Sequence, residues 1–214
     1  MKKNMDYWES VLENLPESYH EWFKEEKKYL QKTITPDAKV LEIGCGDGRS
    51  IRDVLPITKD IIGIDHDDKA IKKAKKNFLD FPYIDFLKED AANLSFSNKT
   101  FDFVICMGSF VNFADEKYKI LGEAKRVLKD NGRIIISVFS EDAMEERMKV
   151  YSSIGVKIKD IKNGRVIFDD ISDDNISEQF TKEQLENIFS KSNLKIKDIT
   201  KVNIAYLCTL SKQP

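Results

Sequence analysis

Three glycines at alternating positions, Gly44, Gly46 and Gly48, fall where a short apolar run ends and a helix begins. The run Lys39–Ile43 has the pattern of a buried strand, and the next segment, about Arg49–Leu55, reads as a helix that stops near Pro56. A strand that turns into a helix through Gly-Cys-Gly-Asp-Gly needs backbone angles that side chains resist. It also leaves the first N–H groups of the helix free to meet an electron-rich or anionic group. The turn therefore reads as a cradle for a nucleotide-like ligand.

After the turn, apolar strands and amphipathic helices alternate, which predicts a parallel sheet built from βαβ units. A second strand spans Ile61–Ile64 and ends at Asp65. A lysine-rich helix, about Asp68–Leu79, follows. A third strand at Ile84–Leu87 leads to Glu89-Asp90. A fourth at Phe101–Cys106 ends in Met107-Gly108-Ser109. A helix over about Glu116–Leu128, closed by Asn131-Gly132, precedes a fifth strand at Arg133–Phe139. The first 35 residues read as helix, with Trp8, Val11, Leu12 and Leu15 before Pro16 and Tyr19, Trp22, Phe23 and Leu30 after it.

Beyond the fifth strand the alternation breaks. A short helix near Ala143–Tyr151 precedes Lys157–Ile161 and Arg165–Phe168, which flank Asn163-Gly164, a strong hairpin signal. Thr181 with Gln184 three positions on predicts a helix opened by a capping box. Two last strands are expected near Leu194–Ile199 and Ala205–Leu210. No repeat or low-complexity linker appears. The reading is a single domain over residues 1–214, with residues 1–35 as a helical lid and about 151–180 as a β-hairpin insertion.

Spacing separates two ligand classes. A dinucleotide loop reads G-x-G-x-x-G, its third glycine allowing close helix–strand packing. Here Arg49 stands at that third position. Glu42 lies two residues before the first glycine, where a carboxylate suits a ligand bearing an ammonium group and repels a pyrophosphate. E-x-G-x-G-x-G after a first strand resembles the cofactor loop of class I S-adenosylmethionine-dependent methyltransferases, of the small-molecule type. The resemblance covers about residues 36–141 by motif and the remainder by topology.

It implies an α/β, doubly wound, mostly parallel seven-stranded sheet in the order 3-2-1-4-5-7-6, with the last strand antiparallel and helices on both faces. It implies S-adenosylmethionine as cofactor and S-adenosylhomocysteine as product. The cofactor contacts it implies are Glu42, Gly44, Cys45, Gly46 and Gly48 at the loop. Asp65 and His66 follow the second strand, where an acid accepts both ribose hydroxyls. Asp90 and Ala91 follow the third strand near the adenine amino group, and Met107 offers its carbonyl at the methionine end. Taken singly, Asp65 also suits a helix cap or turn, Asp90 a cap, and Cys45 a small residue packed under the loop.

The segment Cys106–Asn112 lacks the Asn/Asp-Pro-Pro-Tyr/Phe turn of enzymes that methylate adenine or glutamine nitrogen. It looks more like small-molecule N- or O-methyltransferases, with Ser109, Asn112 and Tyr19 as acceptor-side candidates. Ser109 serves equally as a helix cap. Tyr7, Trp8, Tyr19, His20 and Trp22 would shield the reacting centre, although Trp22 also suits core packing and His20 a surface role; the insertion would form the opposite wall, with Arg165 or Tyr151 contacting an anionic substrate. RNA or protein methylation, and a catalytically silent partner subunit, are the alternatives.

Composition narrows the field. With 41% apolar and 34% charged residues and a net charge of −2, the chain has no global positive field to favour nucleic acid. No run approaches the ~20 apolar residues of a membrane span. Cys45, Cys106 and Cys208 are too scattered for a disulfide framework or a metal site, so no metal is expected and a cytoplasmic setting is. The expected partner is a small-molecule methyl acceptor, and the expected assembly a monomer or homodimer.

Overall fold

The computed structural model describes residues 15–169 and 176–213. The helical pattern read around Trp8, and the shielding role read for Tyr7 and Trp8, lie outside the described residues.

A central sheet carries the fold. Its parallel part is β1 (Val40–Ile43), β2 (Ile61–Asp65), β3 (Asp85–Lys88), β4 (Phe101–Met107) and β5 (Leu128–Phe139). It is closed by β9 (Leu194–Val202) and β10 (Ala205–Lys212), and the order across the sheet is β3-β2-β1-β4-β5-β10-β9. The expected order therefore holds, with the final strand running antiparallel between β5 and β9.

Both faces of the sheet are covered, which is why its central strands read as continuous apolar runs. Phe103, Ile105 and Met107 of β4 pack to one side with Ile51, Val54, Ile71, Ala74 and Phe78. Val104 and Cys106 pack to the other with Ile120, Leu121, Ala124, Leu185 and Phe189. The covering helices are α1 (Glu17–Thr33), α2 (Arg49–Val54), α3 (Asp68–Asn77), α4 (Lys117–Val127), α5 (Met144–Ser153) and α6 (Lys182–Lys191). In α3, Asp67 caps the first turn by accepting from the Lys69 N–H at 2.8 Å, while Ile71 and Ala74 face inward and the lysines outward. The capping box at Thr181 and Gln184 is formed in both directions.

Several element boundaries differ from the sequence reading. Helix α3 stops at Asn77, and Leu79 points to solvent. Helix α4 stops at Val127, and β5 starts at Leu128, running straight through Asn131-Gly132. Gly132 closes no helix. A Cβ there would sit 2.8 Å from the Asp102 carbonyl, so the residue is small to let two strands approach where the β4–β5 register shifts. The hairpin β6 (Ile158–Lys162) and β7 (Arg165–Phe168) turns at Asn163 and Gly164, both with positive φ. A third strand, β8 (Ile176–Glu178), pairs with β7 and makes a small separate sheet, which the sequence reading had not anticipated.

Helix α1 is bound along its length. Ser18 Oγ donates to Glu146 at 2.7 Å, Trp22 Nε1 to Ser137 Oγ at 2.7 Å, and Tyr29 Oη to Asp198 at 2.8 Å. Over residues 17–33 the expected lid is a fixed wall. Among the described residues, no helix is long and apolar enough to cross a membrane.

Candidate active site

Because β1 lies between β2 and β4, and β3 lies outside β2, the residues following these four strands share one edge of the sheet. Gly44–Gly48, Asp65–His66, Asp90–Ala91 and Met107–Gly108 all stand there. This is the edge at which open α/β sheets bind ligands, next to the reversal of strand order.

The turn is shaped from below and open above. Gly46 has φ of 54°, and the space a Cβ would occupy is empty to 4 Å, so a ligand can approach its peptide plane. Its N–H donates to Asp65 Oδ2 at 2.9 Å, and the Asp67 N–H donates to Asp65 Oδ1 at 3.0 Å. A carboxylate offers about four acceptor positions. With two used and the side chain 12% exposed, Asp65 keeps capacity for a pair of hydroxyls. His66 is mostly exposed beside it, its Nδ1 3.6 Å from Asp65 Oδ1.

Glu42 lies behind the turn, fully buried. Ser50 Oγ donates to its Oε1 at 2.6 Å, and its Oε2 has no hydrogen-bond donor among the described residues. Burial pushes its pKa up to about 8; the Ser50 bond and the Arg49 charge act against this, while Glu26 and Asp65 add to it. An unmet buried acceptor costs about 1–3 kcal/mol, a deficit that an ammonium group removes. The residues present thus fit a ligand with a diol at one end and a cation at the other.

The remaining loop positions differ in kind. Cys45 is buried against Gly63, and burial pushes its thiol far up, so its side chain packs under the loop. Asp90 accepts the Ala92 N–H at 2.8 Å and is otherwise exposed, with Ala91 half-buried next to it. Met107 is buried, and its carbonyl accepts from Arg49 Nη2 at 3.4 Å.

Arg49 was legible in the sequence only as the residue displacing a third glycine. It links three elements: Nη2 reaches Met107, Nη1 lies 2.7 Å from Glu26 Oε2 on α1, and the guanidinium stacks 4.0 Å from the Phe23 ring centroid. Glu26 was missed. Its signal was an acid on the buried stripe Tyr19, Trp22, Leu30 at helical spacing.

On the acceptor side, Tyr19 packs with the rings of Trp22, Phe23 and Phe139. Burial pushes its hydroxyl pKa far up, so it stays protonated and can donate but not take a proton. Trp22 sits over Gly108, 4.0 Å from where a Cβ would stand. His20 is exposed and Asn112 half-buried, on a short turn (Phe110–Asn112). Ser109 faces the loop instead: its Oγ donates to the Ile43 carbonyl at 2.8 Å and contacts Cys106 Sγ at 3.0 Å. Arg165 spends its guanidinium on Glu178 at 2.8 Å, and Tyr151 is buried with its hydroxyl on Ser177 Oγ at 3.1 Å. Among the described residues, no group of three His, Cys, Asp or Glu is placed to hold a metal ion.

Arg147, also missed, braces this wall. Fully buried, it donates to Ser177 O at 2.7 Å, Gln179 Oε1 at 2.8 Å and Tyr151 Oη at 3.3 Å, joining α5 to β8.

Comparison with known proteins agrees with this geometry. A family model described as a methyltransferase domain matches residues 41–136. The chain is 32% identical over 136 residues to the mouse eEF1A lysine and N-terminal methyltransferase, covering 61% of this chain but only 20% of that protein. It is 35% identical over 109 residues to the demethylmenaquinone methyltransferase of Thermotoga maritima, covering 48% of this chain and 44% of the relative. Among solved structures, the PH0226 protein of Pyrococcus horikoshii OT3 superposes with a TM-score of 0.74 at 25% identity, over 92% of both chains. Across β1–β5 the chain therefore carries a methyltransferase domain, on the sheet order expected of the class I S-adenosylmethionine-dependent methyltransferase fold.

Proposed function

We propose that this protein transfers a methyl group from S-adenosylmethionine to a nitrogen or oxygen of a small-molecule acceptor by in-line displacement. The observation that carries the reading is the conjunction of Asp65 and Glu42, a solvent-reachable acid and an unmet buried one, behind the open face of Gly46. Asp65 would hold the ribose hydroxyls and Glu42 the ammonium. Asp90 and Ala91 would meet the adenine edge, and the Met107 carbonyl the methionine end. When bound, the cofactor supplies an electrophilic methyl group on a sulfonium.

The chain's own contribution is alignment and exclusion of water, which supply much of the acceleration in such displacements. Tyr19, Trp22 and Phe139 form an aromatic surface beside Gly108 that suits a cation and sheds solvent. Tyr19 donates a hydrogen bond rather than acting as a base. Ser109 positions the loop, and Asn112 remains the polar candidate for the acceptor.

A small acceptor is favoured because both walls are braced: α1 is bonded at Ser18, Trp22 and Tyr29, and the insertion is tied down by Arg147. A protein acceptor is the second reading, favoured by the 32% identity to the mouse eEF1A methyltransferase. Incubation with methyl-labelled cofactor and a cell extract separated by size decides between them. A labelled product distinct from the cofactor in the fraction below a kilodalton supports the first reading, and transfer of label only to protein supports the second.

A further inference from the structure

Among the described residues, six buried side-chain atoms lack a hydrogen-bond partner, and four of them lie in one place. They are Glu26 Oε1 and Oε2, Glu42 Oε2 and Arg49 Nη1. Arg49 Nη1 and Glu26 Oε2 are 2.7 Å apart, close enough for charge pairing, but the N–H is not aligned for a hydrogen bond. Three acceptors and one donor are therefore left unmet behind the methionine end of the crevice.

Buried polar atoms are nearly always paired, and unmet ones gathered at one site point to a missing ligand group. The deficit has a definite chemical complement. An ammonium supplies three N–H donors and a carboxylate supplies an acceptor for a guanidinium. That is the α-amino-acid group. Resting on the reading above, we infer that Glu26, on the N-terminal helix and outside the glycine loop, is a cofactor-tail residue that shares the ammonium with Glu42 while Arg49 takes the carboxylate.

The burial pattern shows how the exchange proceeds. Glu26 is wholly buried, whereas the Arg49 side chain is 25% exposed and covers it. The guanidinium turns from Glu26 to the incoming carboxylate, and the ammonium takes its place on Glu26. One ion pair becomes two, with no net charge added to the site. Glu26 shares its helix with Tyr19, Trp22 and Phe23, so the tail site and the aromatic wall stand on one element.

Calorimetric binding of two probes tests this. S-adenosylhomocysteine carries the amino-acid tail and 5′-methylthioadenosine lacks it. For Glu26→Gln, affinity for S-adenosylhomocysteine should fall about tenfold or more, the scale of a charge-assisted hydrogen bond, with that for 5′-methylthioadenosine unchanged. Equal losses for both probes, or no loss for either, would overturn the inference. Should Glu26→Gln fail to fold, the paired variant Glu26→Gln/Arg49→Gln removes both charges together. It should lose the same tail preference, and retaining it overturns the assignment. The wild-type protein separates the two levels: binding of neither probe defeats the methyltransferase reading itself, and this inference with it.

Discussion

Ser109 sits directly beneath Gly44, in the space that any side chain at position 44 would need. A Cβ on Gly44 would lie 2.5 Å from both the Cβ and the Oγ of Ser109, and the Ser109 hydroxyl holds the neighbouring Ile43 carbonyl at 2.8 Å. The cofactor turn is thus set by the end of β4 pressing on it from below. Gly44→Ala should abolish cofactor binding through this clash and through its φ of 70°. The paired variant Gly44→Ala/Ser109→Gly removes the clash, at the cost of the bond to the Ile43 carbonyl and of a left-handed alanine, each roughly 1 kcal/mol. It should recover part of the affinity in a calorimetric titration.

Asp65 both braces the loop and faces the crevice. Asp65→Ala should weaken S-adenosylhomocysteine by about 1–3 kcal/mol, the cost of leaving hydroxyls unpaired. Asp65→Asn keeps an acceptor for the Gly46 N–H and should lose less. Isothermal titration of the two variants against wild type checks the order.

Glu42 makes stability and binding respond to pH in opposite directions. Its folded pKa is raised to about 8 from an ordinary 4.5, so the folded chain keeps a proton that the unfolded chain releases. Stability from this group is full below about pH 4.5 and is lost as pH rises towards 8, by at most about 1.4 kcal/mol per pH unit. Glu42→Gln should flatten that decline in melts taken at pH 6, 7 and 8. Affinity for the cationic tail should instead increase across the same range in the wild type and stay level in the variant.

Arg147 is fully buried and bonded to neutral acceptors on two elements. Arg147→Met strands the Ser177 carbonyl and the Gln179 amide oxygen and should cost about 2–4 kcal/mol. Chemical denaturation would show the loss. Hydrogen exchange should report it first in residues 158–168, while amides of β1 and β4 keep their protection.

What the sequence made legible follows from how local each signal is. The hairpin at Asn163-Gly164 and the capping box at Thr181 are written within a few residues, and both stand where they were read. The strand ends carrying Glu42, Asp65 and Asp90 were legible because glycines and acids interrupt apolar runs. Glu26 and Arg147 were not, since a charged residue on a helix reads as solvated until its neighbours are known. Each is buried by partners more than twenty residues away. β8 escaped because three residues carry too little alternation to mark a strand. Asn131-Gly132 misled because the same pair that ends a helix also permits two strands to touch.

Strand β10 pairs with β5 on one side and β9 on the other, and is buried over nearly its whole length. This side of the sheet is therefore closed by a strand that follows both of its neighbours in the chain. Until residues 205–212 emerge, a nascent chain presents two open edges of apolar backbone, one on each side of the gap they will fill. The sheet is complete only once β10 has been made, and until then two unpaired edges are open to self-association.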